Sequence, residues 1–196
     1  MHTMAEETCL PVDIDAPPLV QATTALRPVI RSSHEEIERD QRLPKALVEQ
    51  VHAAGFYRLL IPRELGGLQA DPLTYLRVVE LLSEGAGSVG WNLANNRIGQ
   101  LITLGLSDEG VHEIYAHGAD AVIAGTAVPG GGQAVPVAGG SRVSGRWRFG
   151  SGCQERSWLL GSFQLLDGGQ PRRNPDGTSC TWGWTRARVC ASHNCM

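Results

Sequence analysis

Gly139-Gly140-Ser141-Arg142-Val143-Ser144-Gly145-Arg146-Trp147-Arg148-Phe149-Gly150-Ser151-Gly152 is the stretch whose reading decides the fold. It opens on a Gly-Gly turn and mixes the β-favouring Val143, Trp147 and Phe149 with polar residues. It closes on the small-residue patch Gly150-Ser151-Gly152, where a backbone without Cβ atoms can approach a ligand closely. An aromatic beside such a patch, with a hydroxyl two residues on, suits a flat heteroaromatic ring that also needs hydrogen bonds. The same residues also suit an ordinary hairpin whose Trp147 and Phe149 face a core.

The neighbouring segments read as strands. Ala121 to Val128 is a buried-strand run bounded by Pro129-Gly130-Gly131-Gly132, Ala134 to Ala138 is a short second strand, and Trp158 to Leu166 follows the opening stretch. Turn signals recur about every ten residues, which predicts antiparallel pairing.

Before Ala119 the pattern is helical. Leu19, Ala22, Leu26, Val29, Ile30, Ser33 and Ile37 fall on one stripe at a spacing of three and four, with Pro28 expected to kink or split it. Leu43-Pro44 begins a second helix over Ala46, Leu47, Val51 and Ala54, and Gly55 stops it. Asp71-Pro72 caps a third, with the face Leu73, Leu76, Val79 and Leu82. Ser88 caps a fourth, and Ser107-Asp108-Glu109 opens a short fifth. The expected fold class is α+β, an all-α N-terminal domain followed by an incomplete antiparallel β-barrel. The expected divisions are a disordered lead-in over 1–16, a helical domain over 17–118, a partial β domain over 119–166 and an irregular tail over 167–196.

The 42% hydrophobic and 19% charged residues can bury a core, and the net charge of -3 argues against a nucleic-acid footprint or a polybasic membrane patch. No apolar run approaches the roughly twenty residues of a membrane span. Met1 to Asp15 lacks a basic-then-apolar leader, so a cytoplasmic location is expected. Cysteines at 9, 153, 180, 190 and 195 make an odd count that argues against a disulfide framework, and Cys190, His193 and Cys195 match no common zinc spacing. No metal site is expected.

Five segments in register carry a resemblance: Leu43-Pro44, Ala54-Gly55-Phe56-Tyr57, Ile61 through Gly67, Gly87-Ser88-Val89-Gly90-Trp91, and Val143 through Gly152. Together they resemble the acyl-CoA dehydrogenase superfamily, and within it the flavin-dependent monooxygenases that hydroxylate aromatic or polycyclic substrates. The resemblance implies FAD or FMN as cofactor. Thr126, Ala127 and Val128 fall where the dehydrogenases have Thr-Glu-Pro, and Phe149, Gly150 and Ser151 where they have Trp-Ile-Thr. Both segments would then present flavin-binding groups from one barrel face. Trp91 and Asn92 could line a substrate pocket, Trp91 equally a core. No catalytic residue is assigned.

The pattern also departs from the family. The Glu of Thr-Glu-Pro is missing, which favours the monooxygenase branch, where a separate flavin reductase often supplies reduced flavin. Gln154-Glu155 stand where that branch often carries His. Dehydrogenation of a thioester CH–CH bond is the alternative chemistry, and its carboxylate base lies in a C-terminal bundle. No bundle follows Asp167, and the text from Thr178 onward has neither strand nor helix period. The expectation is a truncated member, inactive alone, with a native variant tail, and a non-catalytic remnant or a helical interaction module, as alternatives. Full-length members of the family are homo-tetramers.

Overall fold

A computed structural model describes residues 17–126, 128, 131–179 and 181–186, the last six through their backbone alone. The expected lead-in over 1–16, Ala127, and the tail from 187 onward lie outside the described residues.

The first half is built from α1 (Pro17–Ser32), α2 (His34–Asp40), α3 (Lys45–Ala53), α4 (Pro72–Ser83), α5 (Gly87–Ile102) and α6 (Asp108–Tyr115). The α1 stripe is buried as spaced, with Ile30 and Ile37 fully enclosed. Pro28 does not end α1. The break falls at Ser33, whose hydroxyl bonds back to the Val29 carbonyl at 2.8 Å. These residues meet Leu47, Phe56, Tyr57, Val78, Leu82, Val89 and Leu93 in one core. On α4 the buried face is Thr74, Val78, Leu81 and Leu82, so the expected face is displaced by about a third of a turn. Leu73 and Leu76 are instead exposed. α5 begins at Gly87, with Ala86 rather than Ser88 at its cap.

Asp71 caps α4 as its sequence position requires. Its Oδ1 accepts from the N–H groups of Leu73 (2.9 Å) and Thr74 (3.0 Å), and its second oxygen takes the Thr74 hydroxyl. The Thr74 hydroxyl and backbone hold the carboxyl below its ordinary value. A depressed acid stabilises the fold above its unfolded pKa, and that contribution is lost as pH falls through the folded value. Asp71→Ala should lower the thermal midpoint at neutral pH, and the gap to the parent chain should close in acid. A gap independent of pH would contradict this.

The second half is a mixed sheet, β1 (Ile123–Gly125), β2 (Gly132–Val137), β3 (Gly140–Gly145), β4 (Trp158–Asp167), β5 (Gln170–Pro171) and β6 (Thr181–Arg186). This corrects the antiparallel expectation. β4 is central and runs parallel to both β1 (Ile123 opposite Trp158) and β2 (Gly132 opposite Phe163). β5 and β6 pair antiparallel on its other edge, and β3 pairs antiparallel with β2. The cause is geometric. β1 ends opposite Leu160 and β2 begins opposite Phe163, so β2 takes up the direction of β1 along the same edge of β4. The return that parallel pairing of β2 with β4 requires is made by β3 together with the connection over 146–157. The region over 167–196, expected to be irregular, supplies β5 and β6, because β4 offers a free edge to residues 181–186.

A polar side chain of α5 ties the halves together, as Asn96 Oδ1 accepts from the Ile123 N–H at 2.7 Å. Within the helical half Gln100 Nε2 donates to the Tyr57 carbonyl at 2.6 Å. Gly99 lets α5 close on β1, since a Cβ there would lie 2.6 Å from Ile123 Cγ2. A second cluster of Ile61, Ile114, Tyr115, Ile123 and Trp158 fills the junction.

Candidate functional site

The decisive stretch does two different things. Up to Gly145 it is β3, and beyond it the chain leaves the sheet. Trp147 folds back over the sheet and its indole N–H donates to the Ser162 carbonyl at 2.7 Å. Its ring lies where Cβ atoms on Gly131, Gly132, Gly145 and Gly161 would collide, at 2.2 to 2.9 Å. Four glycines therefore make the bed for one tryptophan. Ser162, fully buried, donates from its hydroxyl to the Val128 carbonyl at 2.7 Å and thereby holds Val128 to β4.

Past Trp147, the segment 149–155 is a succession of turns rather than a strand. Phe149 has φ +62 and is 72% exposed, so it faces solvent instead of a core or a barrel wall. Thr126 is buried, and its hydroxyl oxygen accepts from the Val128 N–H at 3.1 Å, leaving its O–H to donate. None of Thr126, Val128, Phe149 and Gly150 lines the pocket formed around Trp91, and Ala127 lies outside the described residues.

Trp91, Asn92 and Ser151 do come together. The Trp91 indole N–H donates to Ser151 Oγ at 3.2 Å, joining α5 to the small-residue patch. Trp91 is 60% exposed, which rules out the core reading. Asn92 Oδ1 is sealed without a hydrogen-bond partner, and a Cβ on Gly152 (φ +75) would sit 2.8 Å from it. These residues line an open pocket of about 70 Å³ with Gln41, Arg42, Leu43, Ser88, Gly152, Gln154 and Glu155. That is well below the roughly 300–1,000 Å³ of most ligand pockets.

Sequence reasoning noted Glu155 only as a departure from the family pattern. Burial raises its carboxyl above the ordinary Glu value, offset in part by its own backbone N–H and the charges of Arg156 and Arg42. Its charge in turn adds to the burial that raises the Tyr57 hydroxyl. Cys153, beside it, is buried and disulfide-bonded, against the expectation drawn from the odd cysteine count. Among the described residues no three His, Cys, Asp or Glu side chains gather as a metal site. No described helix is long and apolar enough to cross a membrane.

Residues 21–114 match the family described as acyl-CoA dehydrogenase, N-terminal domain. That stretch is a domain of the acyl-CoA dehydrogenase superfamily. The chain's similarity extends past that domain into the sheet. It is 30% identical over 153 residues to the oxygenase subunit HsaA of a flavin-dependent monooxygenase from Rhodococcus jostii (strain RHA1), covering 78% of this chain and 40% of the relative. An indole-3-acetate monooxygenase from Pseudomonas putida is 32% identical over 117 residues, 60% of this chain and 30% of that one. Among solved structures, XiaF from Streptomyces sp. in complex with FADH2 and glycerol superposes with a TM-score of 0.77 at 26% identity, over 87% of this chain and 41% of that chain. The chain thus spans about 40% of the length of its acyl-CoA dehydrogenase superfamily relatives.

Proposed function

We propose that this chain supplies part of the site of a flavin-dependent monooxygenase that uses reduced flavin and O2 to hydroxylate an aromatic compound. The observation that carries it is the Trp91–Ser151 hydrogen bond. It brings two separately recognised family segments to one pocket. The relatives named above, a flavin-dependent oxygenase subunit and an indole-3-acetate monooxygenase, support the same reading.

The residues present fit one polar edge of a flat ring, while the pocket's small volume can hold no more than part of a three-ring flavin. Bound flavin would supply the electrons that activate O2. This chain's own residues position and enclose. Ser151 receives the indole N–H and keeps its own O–H to donate, and Thr126 likewise keeps its O–H. In this reading Thr126, Ala127, Val128, Phe149, Gly150 and Ser151 touch flavin, and Trp91 and Asn92 touch the substrate. Reduced flavin comes from a separate reductase.

The exposed apolar residues Ile98, Leu101 and Ile102 of α5, with Leu73 and Leu76 of α4, support a site completed by further protein. The chain by itself should therefore bind flavin weakly and turn over no substrate. Titrating FAD and FMN, oxidised and anaerobically reduced, with fluorescence and oligomer size as readouts, tests this. Reduced flavin should bind more tightly, and Ser151→Ala or Trp91→Ala should weaken it several-fold. A folded chain that binds neither flavin in either redox state would overturn the assignment.

A further inference from the structure

Glu155 is the one carboxylate lining the pocket, and the mechanism above gives it no task. Beyond its own backbone N–H, it has no side-chain hydrogen bond or ion pair among the described residues. A partly desolvated carboxylate without a partner is costly to keep unless something donates to it. Across the pocket the exposed indole of Trp91 offers a flat face for an aromatic ring. The other lining groups able to compete are Gln41, Arg42, Ser88, Asn92, Ser151 and Gln154. Arg42 is exposed at the rim, where water screens it, whereas Glu155 is half-buried.

We propose that Glu155 determines ligand choice in this pocket, accepting a hydrogen bond from an O–H or N–H carried by an aromatic ring that lies against Trp91. This rests on the monooxygenase reading for the identity of the pocket, but its chemistry requires neither flavin nor O2. A carboxylate acceptor favours phenols and N–H heteroaromatics, is indifferent to their methyl ethers, and repels carboxylated rings. Raising the pH should strengthen binding of a neutral donor as Glu155 ionises, with a midpoint above the ordinary Glu range, in the direction its burial dictates. The charged or titratable groups around it are Arg42 from the α2–α3 connection, the neighbouring Arg156, and the buried Tyr57 hydroxyl.

The test is calorimetric or NMR titration of the whole chain with phenol, anisole and benzoate between pH 4 and 8. Phenol should bind roughly tenfold or more tightly than anisole at neutral pH. Glu155→Leu should erase that preference and Glu155→Gln the pH dependence, both leaving anisole binding in place. Anisole affinity equal to that of phenol, tighter binding of benzoate, or a pH dependence that survives Glu155→Gln would each overturn the proposal. Because flavin is absent from this titration, failure of the monooxygenase reading registers only in the separate flavin titration.

Discussion

Gly67→Ala should strongly destabilise the fold, with a loss of about 3 kcal/mol or more. A Cβ at this position would lie 1.9 Å from the Ile61 carbonyl oxygen. That oxygen cannot turn away, because it accepts from the Gln69 N–H at 3.0 Å. Three further bonds fix the loop. Gly67 N–H donates to Pro62, Leu68 N–H to Arg58 and Ala70 N–H to Leu59, at 2.9, 3.0 and 2.7 Å. The loop in turn positions Leu59 and Ile61, which are buried. Against a typical stability of about 5–15 kcal/mol, such a loss is a large fraction. Gly66→Ala is the control. It has φ +83 but open space, its nearest neighbour being Ala119 Cβ at 3.7 Å, so only the backbone conformation is penalised, by about 1–2 kcal/mol. Denaturant midpoints should separate the two variants clearly. Equal losses would mean that conformation, not the close approach of two backbones, explains Gly67.

Trp147→Ala should cost about 3–5 kcal/mol and disorder the sheet before the helices. The substitution removes the ring from its bed on Gly131, Gly132, Gly145 and Gly161, and it leaves the Ser162 carbonyl without the indole donor. No neighbouring side chain can fill the space, since the bed has none. The helical core around Ile30, Leu47 and Tyr57 lies elsewhere and should persist. Hydrogen exchange should therefore rise first at β2, β3 and β4, with α1 and α4 retaining protection. The converse substitution, Gly132→Ala, drives a Cβ to within 2.4 Å of the ring and should produce the same pattern. Uniform loss of protection across both halves would refute this division. Loss of the sheet should also remove ligand binding at Ser151 and Glu155, because Trp147 anchors the chain just before them.

Much of the molecule was legible from local pattern. Asp71-Pro72 and Ser107 mark helix starts because the side-chain oxygen that caps a helix acts within three residues. Gly55 marks a stop because its φ of +75 is a property of that residue alone. The α1 stripe was readable because burial on a helix repeats with its turn. Trp91, Asn92 and Ser151 were picked out through family resemblance, and the pocket gathers all three.

What the sequence by itself determined is thus the helical character of the first half, the caps at Asp71 and Ser107, the stop at Gly55, and the change to strands after Ala119. Tertiary structure alone decided that β1 and β2 lie parallel to β4, that Phe149 faces solvent, and that Glu155 shares a pocket with Trp91. The physical reason is range. Caps, turns and stripes are settled by groups a few residues apart. The edge a strand joins, and the neighbours a carboxylate meets, are settled by contacts between segments far apart in the chain, which no local period encodes.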